Sequence, residues 1–395
     1  MIGVHVVWDQ RFTAYDFGVG HPMHPVRLDL THALSQELGL LRGNGVRVVP
    51  GELADDALLE TVHDRRLVKT VKRLSEHPEQ ARGERGIGTE DTPAFRGMHL
   101  ASALAVGSTV AACRGVWEGE CRHAVNISGG LHHAMADRAS GFCVYNDIAV
   151  GIRWLLDHGA QRVAYLDLDV HHGDGVERIF WDDPRVMTVS IHESGRALFP
   201  GTGFPGDTGG RKAPDTAVNV ALPSGTGDEG WLRSFEAVVP AVVEAFNPDI
   251  LVTQHGCDCH FSDPLAHLAV SIDGMQTAYS WVHDLAHRVC DGRWVALGGG
   301  GYELVQVVPR AWSHLIAIAA HTPVSLTEPT PQDWQQMVLH RLDTIAPPRM
   351  GDLGGRPIDY GHFRDGYHPE DSVDIAIMAT RRAIFPGWGL DAYFD

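Results

Sequence analysis

Short β-branched runs alternate with longer amphipathic stretches along most of this chain, and few folds accommodate that order. Residues 4–8, 124–127, 163–168, 186–191, 250–253 and 294–297 read as buried strands. Residues 99–113, 146–158, 230–246, 273–290 and 303–320 read as helices. Parallel strands need crossover helices, so the pattern predicts an α/β fold with a central parallel sheet and helices on both faces. With 395 residues the length allows two or three domains, yet no linker or internal repeat divides the chain. The expectation is one large domain over residues 1–321, with 322–395 as an extension packed on it. Residues 322–357 are richer in proline and polar side chains, with a helix at 333–342.

The reactive side chains fall where such a sheet places ligands. SGGLHHA follows the strand at 124–127, DVHHGDG follows 163–168, QHGCDCH follows 250–253 and GGGGY follows 294–297. Ligand sites of open parallel sheets lie at the carboxyl ends of the strands, so four separated motifs are expected to meet at one edge. In an extended YLDLDVHHGDG segment, alternation puts Asp167, Asp169 and His171 on one side. Asp169 and His171, joined by Asp258, make a mixed nitrogen and oxygen donor set that suits zinc. The alternative for Asp169 and His171 is capping of the helix that follows.

His132 and His133 are adjacent, and two glycines before them let the backbone turn tightly. With Asp167 and Asp174 as separate carboxylate partners, the two rings could hold different protonation states, as acid and base chemistry requires. Taken alone, the pair also fits two exposed loop histidines. GGGGY lacks phosphate-loop spacing; it sets Tyr302 at a strand end, where a phenol donates to an oxyanion or packs in the core. Cys257 and Cys259 flank Asp258 and are expected to point away from the metal, as packing thiols.

Charge bears on partners. Lys and Arg total 32 against 50 Asp and Glu, a net charge of -18, which opposes nucleic acid and anionic membrane and favours cationic partners. Six scattered cysteines do not form a disulfide framework. No run reads as long and apolar enough to cross a bilayer, and MIGVHVVWDQ carries no export pattern, so the expected location is the cytoplasm.

With these residues in place, the chain resembles the histone deacetylase superfamily, most closely its bacterial acetoin-utilization branch. The likeness runs through GHPMHPVR, EDTP, NISGGLHHA, SGFCVYND, YLDLDVHHGDGVE, VMTVSIHE, FPGTG, DPLAHL, GGGGYELVQVVPRAW and ATRRAIFPGWGLD. The resemblance implies an arginase/deacetylase-like fold and an N-ε-acetyl-lysine hydrolase, with zinc, or alternatively iron(II), on Asp169, His171 and Asp258. It makes His132 and His133 the dyad, paired with Asp167 and Asp174, His133 the general base and later acid, and Tyr302 the group that polarises the acetyl carbonyl. It further assigns Gly141, Phe142 and Phe199 to the walls of the lysine tube, Asp91 to a rim contact with substrate backbone, Leu265 to the lining and Arg27 to the acetate exit. Structural potassium is implied at Asp167, Asp169, His171, Ser190 and Ile191, and at Phe180, Asp183 and Val186.

Two departures stand out. Leu131 replaces the tryptophan of class I eukaryotic enzymes, and Cys259 replaces a small hydroxyl residue. Acetyl-CoA synthetase is the protein target the resemblance favours, with acetylpolyamine or another small acylated amine as the alternative substrate. A two-manganese ureohydrolase needs further carboxylates where this chain has Gly173 and Gly256, so one metal is preferred. A module that merely binds acetylated tails would need no complete dyad.

Overall fold

Valine-rich runs too short to bury themselves pair side by side into one parallel sheet. The computed structural model describes residues 3–43 and 45–395. In chain order the elements are β1 (Val4–Val7), α1 (Val26–Glu37), β2 (Val46–Val49), α2 (Asp56–Leu59), α3 (Arg65–Glu76), α4 (Met98–Trp117), β3 (His123–Asn126), α5 (Asp147–Asp157) and β4 (Val163–Asp167). There follow α6 (Asp174–Phe180), β5 (Val186–Glu193), β6 (Ala217–Leu222), α7 (Asp228–Phe246), β7 (Ile250–Gln254), α8 (Ile272–Cys290), β8 (Trp294–Leu297), α9 (Val308–Ala319), α10 (Gln332–Leu342) and α11 (Ser372–Ile384).

The strand order is β2-β1-β3-β8-β7-β4-β5-β6, and every pairing is parallel. All residues of β3, β4, β5, β7 and β8 are buried, so both faces are covered, as a parallel sheet requires. The chain lays down β3, skips two places to β4, and later fills the gap with β7 and β8. That reversal opens a crevice above the middle of the sheet.

The six expected strands are present, while β2 and β6 were not legible. Both are edge strands: β2 carries Arg47 and is largely exposed, and β6 follows a long loop rich in glycine. Of the helices, α9 starts later than the expected residue 303. Pro309 has no N–H to donate and fits a helix only in its first turn, so Val308 begins the element.

The expectation that no segment suits a bilayer needs correction, because α4 is long and apolar enough to cross one. Its alanines and valines serve a different purpose: 78% of the apolar stretch is buried inside the fold, against α5 and β3 among others. Beyond residue 321, α10 packs on α1, and α11 lies against β6 and α7.

Candidate metal centre and histidine dyad

The four strands that carry the motifs are consecutive in the sheet, in the order β3-β8-β7-β4. Their register aligns Asn126, Leu297, Gln254 and Asp167 in one row at the carboxyl edge. The segments that leave this row therefore start side by side.

Asp169, His171 and Asp258 offer donor atoms that all lie within 4.8 Å of one another, and all three residues are buried. His171 Nδ1 is 3.1 Å from Asp169 Oδ1 and 3.1 Å from Asp258 Oδ2. The paired carboxylates demand positive charge here: burial opposes protonation of His171, yet Asp169 and Asp258 raise its pKa to about 10. A divalent cation meets the same demand, and one imidazole with two carboxylates fits zinc with a coordination position left for water. The helix after this segment is capped at Gly173 without a side-chain bond, so Asp169 and His171 are not its caps.

One detail differs from the extended reading. β4 ends at Asp167 and the chain bends at Asp169 and Val170, so Asp167 does not join Asp169 and His171 at a single point. Asp167 Oδ2 instead lies 2.7 Å from His132 Nδ1 and accepts the Tyr165 hydroxyl at 2.6 Å.

His133 Nδ1 lies 2.7 Å from Asp174 Oδ1, and the Nε2 atoms of His132 and His133 are 3.0 Å apart. Both rings are buried, which excludes a pair of exposed loop histidines. Their environments push them apart. Burial works against charge on His132, but Asp167 and Asp169 outweigh it and raise the pKa to about 9. His133 is lowered to about 4 by burial and by the neighbouring His132, with Asp174 opposing. One ring is thereby poised to carry a proton and the other to accept one.

The ring of Phe199, 46% exposed, stands edge-on to His133 with centroids 5.0 Å apart. Phe142 stands edge-on to Tyr302 at 5.7 Å. The backbone puts Gly141 at φ +53 and Phe142 at φ +65, and the left-handed turn is held by Asp91 Oδ2, which accepts the Gly141 N–H at 2.9 Å, and by Tyr15, which donates to the Phe142 carbonyl at 2.8 Å. Asp91 is thus tied to the wall itself. Leu265 and Tyr302 share an anchor: Asp263 accepts the Leu265 N–H at 3.0 Å and the Tyr302 N–H at 2.8 Å. Arg27 donates to the carbonyls of Gly299 and Gly301 at 2.8 and 3.2 Å, and with Tyr15, Met23 and Leu131 lines a small cavity of about 20 Å³.

Of the expected potassium ligands, Asp167 and Ser190 are register partners on β4 and β5, and Ile191 follows Ser190. Phe180, Asp183 and Val186 share a turn in which the Asp183 N–H bonds the Phe180 carbonyl and the Val186 N–H bonds the Asp183 carbonyl. The Asp183 carboxylate itself is engaged by Arg185 at 2.9 and 2.7 Å.

Cys257 and Cys259 are buried free thiols outside the metal-ligating group. The glycines that argued for one metal are sterically required. A Cβ on Gly256 would lie 2.1 Å from Asp169 Oδ2, and one on Gly173 would lie 2.2 Å from Asp167 Oδ2. Neither position can accept a carboxylate side chain unless the neighbouring aspartate shifts.

Four supporting residues escaped sequence reasoning. Gln254 donates to Asp169 Oδ2 at 2.6 Å, and its own carbonyl accepts the Gly256 N–H at 2.7 Å. Asp147 holds the N–H groups of Gly130 and Leu131 just before the dyad, at 3.0 and 2.8 Å. Asn146 donates to the carbonyls of His132 and Ala134 at 3.1 and 2.9 Å. Asp263 is the fourth. All four lie in or beside motifs already singled out, but polar residues of these types are usually surface groups, and nothing local marks them as buried.

The histone deacetylase domain family matches residues 21–319. The acetoin utilization protein AcuC of Bacillus subtilis is 40% identical over 311 residues, covering 78% of this chain and 80% of that protein. AcuC of Staphylococcus xylosus is 35% identical over 343 residues, 86% of this chain and 89% of its own. AcuC of Staphylococcus aureus strain MSSA476 is 35% identical over 348 residues, with 88% and 89% covered.

Proposed function

This chain belongs to the histone deacetylase family, with the AcuC proteins among its relatives, and from that premise we propose that it is a zinc-dependent deacetylase that hydrolyses N-ε-acetyl-lysine in proteins to lysine and acetate. The observation that carries the reading is the meeting, at one sheet edge, of the Asp169, His171 and Asp258 donors with a histidine dyad whose members have separate carboxylate partners.

Asp169, His171 and Asp258 would hold the zinc, which would supply Lewis acidity toward water and a carbonyl oxygen. The protein supplies the proton path. His133 is neutral near pH 7, with Asp174 fixing its Nδ1, so its Nε2 takes the proton of the attacking water and later returns it to the departing amine nitrogen. His132, charged and held by Asp167, offsets the negative charge that develops beside it. Burial pushes the Tyr302 phenol well above its ordinary pKa, so it stays protonated and donates to the carbonyl oxygen as negative charge grows there. Phe142 and Phe199 give apolar walls to an alkyl stem whose charge acetylation has removed.

Structural potassium is part of the same proposal. Asp167 and Ser190 on adjacent strands support the inner site, and the carbonyls of Phe180, Asp183 and Val186 support the outer one. The six buried free thiols favour a reducing compartment, the cytoplasm. An acetylated enzyme of acetate metabolism, such as acetyl-CoA synthetase, is the proposed partner, in keeping with the acetoin utilization named for the relatives.

Acetate release from an acetyl-lysine peptide and from acetylated polyamines, with metal content measured on the same sample, tests the reading. Faster turnover of the peptide with zinc bound is expected, and His133→Ala or Tyr302→Phe should lower kcat by about 10² or more with the fold intact. Preference for acetylpolyamine would move the substrate class. Peptide binding without acetate release, or near-normal turnover by folded His133→Ala, would overturn the mechanism.

A further inference from the structure

At the opposite edge of the sheet from the dyad, four histidines converge. His123 opens β3, His283 and His287 lie one turn apart on α8, and His321 follows α9. Each offers a ring nitrogen, and the four nitrogens all lie within 4.8 Å of one another. We propose that these imidazoles form a second metal site, for zinc or another late first-row divalent cation, that clips β3, α8 and the end of α9 together.

The geometry fits a metal better than it fits mutual hydrogen bonding. His123 Nε2 is 3.3 Å from His321 Nε2 and 3.3 Å from His287 Nε2. Zinc–nitrogen bonds of about 2.0–2.1 Å in a tetrahedron give nitrogen–nitrogen edges of about 3.3–3.4 Å. A hydrogen-bonded trio has no such reason to close, since one nitrogen cannot serve both neighbours as donor. His283 Nε2 is buried here without a hydrogen-bond partner. Spacing of four residues puts His283 and His287 on one helix face, the arrangement that lets two imidazoles share a cation.

Placement and charge agree. His321 adopts φ +55, the left-handed turn that ends α9, where its N–H bonds the Ile318 carbonyl and the Thr322 N–H bonds the Ala317 carbonyl, and this turn brings its ring to the other three. His287 and His321 are exposed, which leaves an entry path, while His123 forms the buried floor. Burial first, and then the three other rings, lower the His123 pKa to about 3, and His283 and His287 are lowered too. Charge is thus disfavoured on these three imidazoles, and a neutral ring is the form a metal ligand requires. This site is independent of the catalytic reading, because none of its residues touches the dyad edge.

The test compares the full-length wild type with His287→Ala/His321→Ala, a variant altered at exposed positions. Each is stripped with chelator, loaded with zinc, passed through gel filtration and assayed for zinc per chain. The wild type should retain one more zinc per chain than the variant, and acetate release should be equal in the two. The criterion is this difference, so it holds whatever the catalytic centre binds. Cobalt(II) loading supplies a second measurement: the wild-type minus variant spectrum should show a tetrahedral, nitrogen-ligated ion without thiolate bands. Equal zinc content in the two proteins, or no difference spectrum, would refute the site.

Discussion

Replacing Asp147 by asparagine changes one carboxylate oxygen into an amide NH₂, and every contact of that carboxylate is with a donor. Oδ2 accepts the Thr109 hydroxyl at 2.6 Å and the Gly130 N–H at 3.0 Å; Oδ1 accepts the Leu131 N–H at 2.8 Å. Whichever way the amide turns, its NH₂ faces a buried N–H and leaves it unpaired, at a cost of about 1–3 kcal/mol. Loss of negative charge in the first turn of α5 adds about 0.5 kcal/mol. Burial raises the Asp147 pKa despite these donors, so a neutral side chain recovers part of the loss, and a net destabilisation of about 2 kcal/mol is expected. The consequence for chemistry should be larger. Gly130 and Leu131 lead directly into His132, and displacing that loop by about 1 Å can cost about 10²-fold in kcat. Urea unfolding followed by tryptophan fluorescence gives the stability, and acetate release at equal folded concentration gives the rate. Asp157→Asn, an exposed position on the same helix, is the control and should change stability by less than about 0.5 kcal/mol. If Asp147→Asn matches the control in both assays, the idea that this carboxylate holds the dyad loop is wrong.

His63 is buried and neutral: its Nε2 accepts the Asn146 N–H at 2.9 Å, its Nδ1 bonds the Met135 carbonyl at 3.1 Å, and burial lowers its pKa to about 4. The unfolded chain takes up a proton near pH 6.5 that the folded chain refuses until about pH 4, so stability should fall across that window, by on the order of 3 kcal/mol. His63→Gln should flatten the fall, and an unchanged pH slope of the unfolding midpoint counts against it. Gly256→Ala, whose Cβ would meet Asp169 Oδ2 at 2.1 Å, should weaken binding of the zinc proposed for Asp169, His171 and Asp258 and lower turnover at least 10²-fold, on the order of one removed catalytic contact; unchanged zinc binding would contradict the steric argument. Asp352 ties the chain after α10 to the core, lying 2.9 Å from His260, 2.8 Å from Arg310 and 2.8 Å from the Ile272 N–H. Asp352→Ala leaves Arg310, only 4% exposed, without its carboxylate and should cost about 3–5 kcal/mol in urea unfolding; a loss below about 1 kcal/mol would show that Arg310 finds water instead.

The inner strands were legible because a strand buried on both faces must be a continuous apolar run, and Val163 to Leu166 or Val186 to Val189 admit little else. The edge strand β2 was not, because with its exposed Arg47 it satisfies no such demand; β6 is buried, but Asn219 interrupts its apolar run. α4 shows the limit from the other side: its composition suits a bilayer and a protein interior equally, and only its neighbours decide.

The candidate site divides along the same line. Local order determined that Asp169 and His171 would sit just beyond a strand and that two adjacent histidines would follow a flexible turn, since these depend on residues close in the chain. The sheet decided the rest. Setting β7 and β8 between β3 and β4 brought Asp258 to His171 and Tyr302 toward both, and it placed Gln254 and Asp147 where their hydrogen bonds have no water to compete with. It also drew four histidines, from His123 to His321, into one cluster at the far edge. Spacing along a sequence fixes distances of a few residues; distances between strands are fixed by hydrogen-bonded register and by the burial of both faces, which belong to the folded chain as a whole.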